Sequence, residues 1–256
     1  MKNIYKTTGI LVSSLLFTAP VFAAPDSDFD FYRADSNPTN FHTTTYGNGL
    51  TGENADAFQQ FATIDSKALD LALIDARKLD SSKLEINHDS DVKVYFVNEG
   101  GLFRNKIKLI STGSTALNGF VFKDVSCIEA GCIYPDTFGY YSLNANDTLE
   151  LGDYVSVGNI QSGSKLDFEL VSPALTDFYT SDRTFYSNNS LNTNNRGLIS
   201  YEYEGYLILA GEDYYDGDYN DVVFVVDIGQ NNLDCIPTDG EISAPGCNTD
   251  TNVFPD

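Results

Sequence analysis

The chain has 256 residues, with 15 Lys and Arg against 37 Asp and Glu and a formal charge of −22. So large an acid excess argues against nucleic acid, which is held through Lys and Arg contacts to phosphate, and disfavours anionic membrane surfaces. It favours solubility, cations and basic partners, and the length suits one large β-domain or two small ones.

In chain order, residues 1–23 read as a signal peptide. Lys2 and Lys6 supply the positive start, 10–17 is a short apolar core, and Val21-Phe22-Ala23 is a small-residue cleavage site. The apolar run is too short to span a bilayer, so no membrane insertion is expected. No cysteine follows the cleavage site, which disfavours a lipoprotein anchor. The mature chain, without Lys2 and Lys6, has 13 basic and 37 acidic residues, a formal charge of −24. Secretion is expected, to the periplasm, the cell surface or the medium.

Residues 24–87 form the next unit. Its first part, 24–50, is polar and turn-rich, an extended lead-in suited to a sheet edge. Over 54–80, Phe58, Phe61, Ile64, Ala68, Leu69, Ala72 and Leu73 recur at roughly helical spacing, with Asn54 as cap. This predicts one helix, docked on the following domain through Phe58, Phe61 and Leu69.

From 88 to 228 the period becomes two. "DVKVYFVN" sets Val92, Val94 and Phe96 against Lys93, Tyr95 and Val97. "NKIKLIS", "GFVF", "FGYYSL", "DYVSVGNI", "KLDFELV", "LISYEY", "YLILA" and "DVVFVVDI" continue the series, separated by Gly, Asn, Asp and Ser clusters. The fold class predicted is all-β, an antiparallel sandwich or jelly-roll-like domain with the N-terminal helix packed on it. Residues 229–256 are a polar tail. The four cysteines, Cys127, Cys132, Cys235 and Cys247, suggest disulfides in an exported chain. Of three possible pairings, Cys127–Cys132 and Cys235–Cys247 is preferred, because each pair brackets a Gly- or Pro-bearing loop. A zinc site is the weaker rival, since neither spacing is C-x-x-C and the histidines are His42 and His88 alone.

The stretch "GEDYYDGDYNDVVFVVDIG" crowds carboxylates against the start of an apolar strand. Two carboxylates about 6 Å apart repel by roughly 0.7 kcal/mol in water and about 3 kcal/mol at an effective dielectric of ~20. A divalent cation reverses that sign, and oxygen-only ligands suit calcium. Asp218, Asn220 and Asp221 are the first candidate ligands, then Glu212 and Asp213, then Asp216. Along an extended segment Asp218 and Asn220 point the same way. Asp221 needs a bend to join them, or holds a neighbouring backbone group instead. The spacing imitates a helix–loop–helix calcium loop but has Asp221 where that loop needs Gly, and a strand pattern follows. The competing interpretation is a solvated acidic turn between "YLILA" and "DVVFVVDI".

Taken together, "LILAGEDYYDGDYNDVVFVV" resembles the closing motif of an exported bacterial family, domain of unknown function 4114. The matching positions are Glu212, Asp213, Asp218, Tyr219, Asn220 and Asp221. "DVKVYFVNEGGLFRN" resembles a second block of that family, at Glu99, Gly100, Phe103, Arg104 and Asn105. "LGDYVSVGNIQSGSKLDFELV" and "FYTSDRTFYSNNSLN" resemble its middle part. The likeness covers about 88–228 and implies a β-sandwich with calcium near the closing loop, used as a module of secreted or adhesive proteins. "YYDG" replaces the usual Gly-rich run, and the Cys127/Cys132 insertion departs from the family.

No catalytic constellation is visible: there are two histidines and no G-x-S-x-G, so no enzyme is expected. The function predicted is a secreted, calcium-binding interaction module for an extracellular protein, peptide or glycan. The alternative is a carbohydrate-binding or carbohydrate-hydrolysing protein, for which 16 tyrosines offer stacking surfaces.

Overall fold

The structure is a computed structural model that describes residues 27–32, 77–99, 105–123, 125, 149, 152–172, 183–192, 197–213, 219, 221–238, 240–241 and 247. The strands are β1 (Asp30–Tyr32), β2 (Arg77–Leu79), β3 (Glu85–Ile86), β4 (Ser90–Glu99), β5 (Lys106–Gly113) and β6 (Leu117–Phe122). There follow β7 (Tyr154–Ile160), β8 (Ser164–Ser172), β9 (Arg183–Tyr186), β10 (Gly197–Tyr203), β11 (Tyr206–Glu212) and β12 (Val222–Asp227). Among the described residues, one short α-helix, α1 (Gln230–Leu233), comes after them.

The strands form two antiparallel sheets. One has seven strands in the order β1-β7-β4-β12-β11-β10-β2; the other has five, β3-β8-β5-β6 with β9 beside β8. Alternation decides what lies between them. Val92, Val94 and Phe96 of β4, Leu207 and Leu209 of β11, and Phe224 and Val226 of β12 join Ile107, Leu109, Phe168 and Leu170 of the other sheet in one buried cluster. The Phe168 and Phe224 rings meet across the gap at 5.4 Å. The architecture is therefore the all-β sandwich expected.

Local chemistry sets the connections. The β10–β11 turn holds Glu204 at φ 51° and Gly205 at φ 80°. Two positive φ values match the right-handed twist of a two-residue hairpin, and Gly meets the second at no steric cost. The lead-in does reach a sheet edge. Asp28 exchanges backbone and side-chain hydrogen bonds with Phe120 of β6, and two residues later β1 pairs with β7. Residues 27–32 thus close one side of the sandwich. A Cβ at Gly119 would lie 2.9 Å from the Phe29 ring, so any larger residue there would push the ring aside.

The helix read over 54–80 does not reach residue 80. Arg77, Lys78 and Leu79 are strand β2, paired with Glu202, Tyr201 and Ser200 of β10. The local helical spacing yields there to tertiary contacts. Leu79 is buried in the inter-sheet core, and Arg77 pairs with Glu202 while donating to the Leu233 and Ile236 carbonyls. Residues 54–76, with Phe58, Phe61 and Leu69, lie outside the described residues, as do 1–26 and the strand read at "FGYYSL". Strands β1, β2 and β3 join the sheets from within 24–87, and Leu79 bridges to Thr238 in the tail.

Candidate functional site

The candidate loop joins two central strands that are buried along their whole length, β11 and β12. Gly211 faces Val222 across this hairpin, and Glu99, the last residue of β4, faces Val222 from the other side. Glu99 and the start of the loop after Glu212 thus meet at one end of the seven-stranded sheet.

Two acids close the neck of the loop. An Asp221 Oδ2 accepts from the Asp213 backbone N–H at 2.6 Å, and Glu212 Oε2 accepts from the Tyr219 N–H at 3.3 Å. Asp221 therefore holds a neighbouring backbone group. Tyr219 sits at φ 58°, a left-handed conformation that costs a bulky residue about 1–2 kcal/mol. Its ring packs beside the apolar outer face of the sheet, which offsets that strain.

Asp213 turns the other way, into the sandwich, and is fully buried. Its Oδ2 accepts from Asn105 Nδ2 at 2.5 Å, and its carbonyl accepts from Arg183 Nη1 at 2.8 Å. Arg183 also donates to Ser172 Oγ at 3.1 Å and lies over the Phe185 ring. Asn105, Arg183 and Ser172 belong to the five-stranded side, so Asp213 ties the two sheets together. Its Oδ1 is buried and has no hydrogen-bond partner. Burial raises the Asp213 pKa, and Glu212 adds to the rise; Asn105, Asp221 and Arg183 oppose it, and the result is about 6. A buried carboxylate oxygen without a donor is costly, because the group loses its water and gains nothing in exchange. Glu99 and Asp153 are buried as well.

Of the expected ligands, Glu212, Asp213 and Asp221 are placed, and all three are buried. Asp216, Asp218 and Asn220 lie outside the described residues. Among the described residues, no group of three or more His, Cys, Asp or Glu side chains is arranged to hold a metal ion. Cys235 and Cys247 are disulfide-bonded with Cα atoms 4.5 Å apart. Cys127 and Cys132 lie outside the described residues.

Among the described residues, four tyrosines are spent on packing. Tyr95, Tyr154, Tyr201 and Tyr206 are buried, while Tyr32 is 44 % exposed and stacks on Tyr154 at 4.9 Å. A groove of about 570 Å³ lies at the opposite end of β12, lined by Asp89, Asp91, Lys93, Asn159, Asp227 and Gln230 among others, with no Phe or Tyr among the described residues of its wall.

Sequence reasoning missed Arg183 and Asp153. Arg183 had one weak signal, a cation beside the aromatics of "RTFY" in an acidic chain. Asn232 was missed too, inside a stretch read as polar tail. The chain matches no family model, no curated protein and no solved structure.

Proposed function

We propose that this chain is an exported, calcium-binding β-sandwich, akin to domain of unknown function 4114, that works as an extracellular interaction module. The observation that carries the reading is Asp213: a buried carboxylate with one oxygen held by Asn105 and the other without a donor. It stands at the mouth of a loop that also contains Asp216, Asp218 and Asn220. Calcium takes six to eight oxygen ligands from carboxylates, amides and carbonyls, and this donor set is entirely oxygen. Bound there, the ion would satisfy the open oxygen and offset the repulsion among the loop's acids. Asp213 is the first ligand in this reading, with Asp218 and Asn220; Asp221 and Glu212 hold the neck. The helix of 54–76 and its docking by Phe58, Phe61 and Leu69 belong to the same proposal, as does export directed by residues 1–23.

The reading favours a protein, peptide or glycan ligand bound without turnover. An array of glycans and peptides, screened in calcium and in chelator, tests it. Binding that appears in calcium and disappears in chelator is the expected result. Binding indifferent to calcium, or cleavage of a glycan probe, contradicts it.

A further inference from the structure

A second groove, of about 280 Å³, lies beside β2, the edge strand of the seven-stranded sheet. Its wall includes Lys78 of β2, Asp80 and Ser81 of the turn that follows, Lys165 of β8, and Asn188 and Ser190 after β9. Among the described residues of this wall, one acid stands with two lysines, in a chain whose acids outnumber its Lys and Arg by 37 to 15. That acid is already used. Asp80 Oδ1 accepts from the Ser82 N–H at 3.0 Å and from Ser82 Oγ at 2.6 Å, and its Oδ2 pairs with Lys83 at 3.3 Å. The groove is therefore a locally positive patch on an acidic protein.

Three groups in the wall hold hydrogen-bonding capacity that the described residues do not use. Ser81 is 5 % exposed, and its hydroxyl has no partner among them. Buried hydroxyls are ordinarily paired, so this one points to something outside the chain. Asn188 turns its Oδ1 to the Ser190 N–H at 3.2 Å and to Ser190 Oγ at 2.7 Å, which leaves its Nδ2 as a donor. Lys165 stands opposite Glu85 in the β3–β8 register, yet it forms no ion pair among the described residues. All three groups can donate, and one is charged. The ligand that matches them is rich in acceptors and negative. At about 30 Å³ per water, a groove of about 280 Å³ has room for about nine waters. That exceeds a lone oxyanion and suits one sugar ring with its substituents.

We propose that this groove binds an anionic sugar unit of an extracellular glycan, its charge a carboxylate or a sulfate ester. Lys165 pairs with the charge, while Asn188 Nδ2 and Ser81 Oγ donate to the sugar's oxygens. The proposal rests on the reading of the chain as an interaction module, and it names the ligand class and where that ligand sits.

Titration of the full-length, isotope-labelled chain, followed by NMR, tests it. The probes are methyl glucuronide, methyl glucoside 6-sulfate, neutral methyl glucoside and inorganic sulfate. At least one charged sugar should shift the amides of Ser81, Lys165 and Asn188, and which of the two does so names the charge. Neutral glucoside and inorganic sulfate should each bind about tenfold more weakly or not at all. Lys165→Gln should weaken the charged sugar about tenfold, the scale of one charge-assisted hydrogen bond, and Ser81→Ala should weaken it less. No shifts at these residues, equal binding of the neutral sugar, sulfate binding as tight as the sugar's, or binding indifferent to Lys165→Gln would overturn the proposal. Repeating the titration in chelator separates it from the calcium reading. Shifts that persist in chelator and are lost in Lys165→Gln keep the groove and contradict calcium dependence. Absent shifts in a chain that does bind calcium overturn the groove alone.

Discussion

At one end of β12 a buried polar side chain is complete within the protein; at the other it is not. Asn232, 2 % exposed, follows the strand's C-terminal end. Its Oδ1 accepts from the Asn87 and His88 N–H groups at 2.7 and 2.8 Å, and its Nδ2 donates to the Ile228 and His88 carbonyls at 2.8 and 2.9 Å. A neutral amide with two donors and two acceptors is thereby fully used. Asp213, near the strand's N-terminal end, is as deeply buried but charged, and one of its oxygens has no donor. The first arrangement is what a structural staple needs. The second is a buried carboxylate oxygen with no hydrogen-bond donor, which a staple made only of protein groups does not leave.

The largest expected effect breaks the complete end. Asn232→Ala removes four hydrogen bonds and takes the acceptor from the part-buried Asn87 and His88 N–H groups, so a loss of about 4 kcal/mol is expected at roughly 1 kcal/mol per bond. Urea unfolding should show the same loss with and without calcium. A calcium-dependent loss would mean that the two ends are not separate.

The incomplete end should respond to pH. The Asp213 pKa is raised from 3.8 to about 6 in the folded chain, so the folded state binds the extra proton between those values. The stability tied to this group is fully present below pH 3.8 and is lost as pH rises through about 6. The shift corresponds to a loss on the order of 3 kcal/mol. Melting curves in chelator between these pH values should show a decline for the parent that Asp213→Asn flattens. Equal pH profiles for parent and variant would mean that the Asp213 proton is not linked to folding.

A smaller effect is expected from the tail that anchors the complete end. Reducing Cys235–Cys247, 12 residues apart in sequence, frees the loop beside the Arg77 contacts to Leu233 and Ile236. The chain-entropy model places the loss at roughly 2–3 kcal/mol. Melting with and without reductant measures it, with Cys235→Ser/Cys247→Ser separating this bond from any other thiol.

Much of the sandwich was legible because its central strands advertise themselves. "YLILA" and "VVFVV" are continuous apolar runs, the pattern of strands buried on both faces. β2, β3 and β9 went unread, since two to four residues cannot display a period. In the candidate site, Glu212, Asp213 and Asp221 could be picked out because they are neighbours in sequence. Their roles could not: alternation says nothing about Asn105, 108 residues from Asp213, or Arg183, 30 residues away. Asn232 was invisible for the same reason, its partners Asn87 and His88 being 145 and 144 residues distant.

The central claim is that calcium completes the Asp213 end, and calorimetric titration of the chelator-treated chain at neutral pH tests it most directly. Calcium should bind with measurable heat and, at 100 times its dissociation constant, raise stability by about 2.7 kcal/mol. Magnesium should substitute poorly, because it demands a tighter octahedral shell. Asp213→Asn, and separately Asp218→Asn, should abolish the heat while leaving a folded sandwich. No binding heat, with identical melting curves in chelator and in calcium, would contradict the account and leave the loop a buried acidic turn.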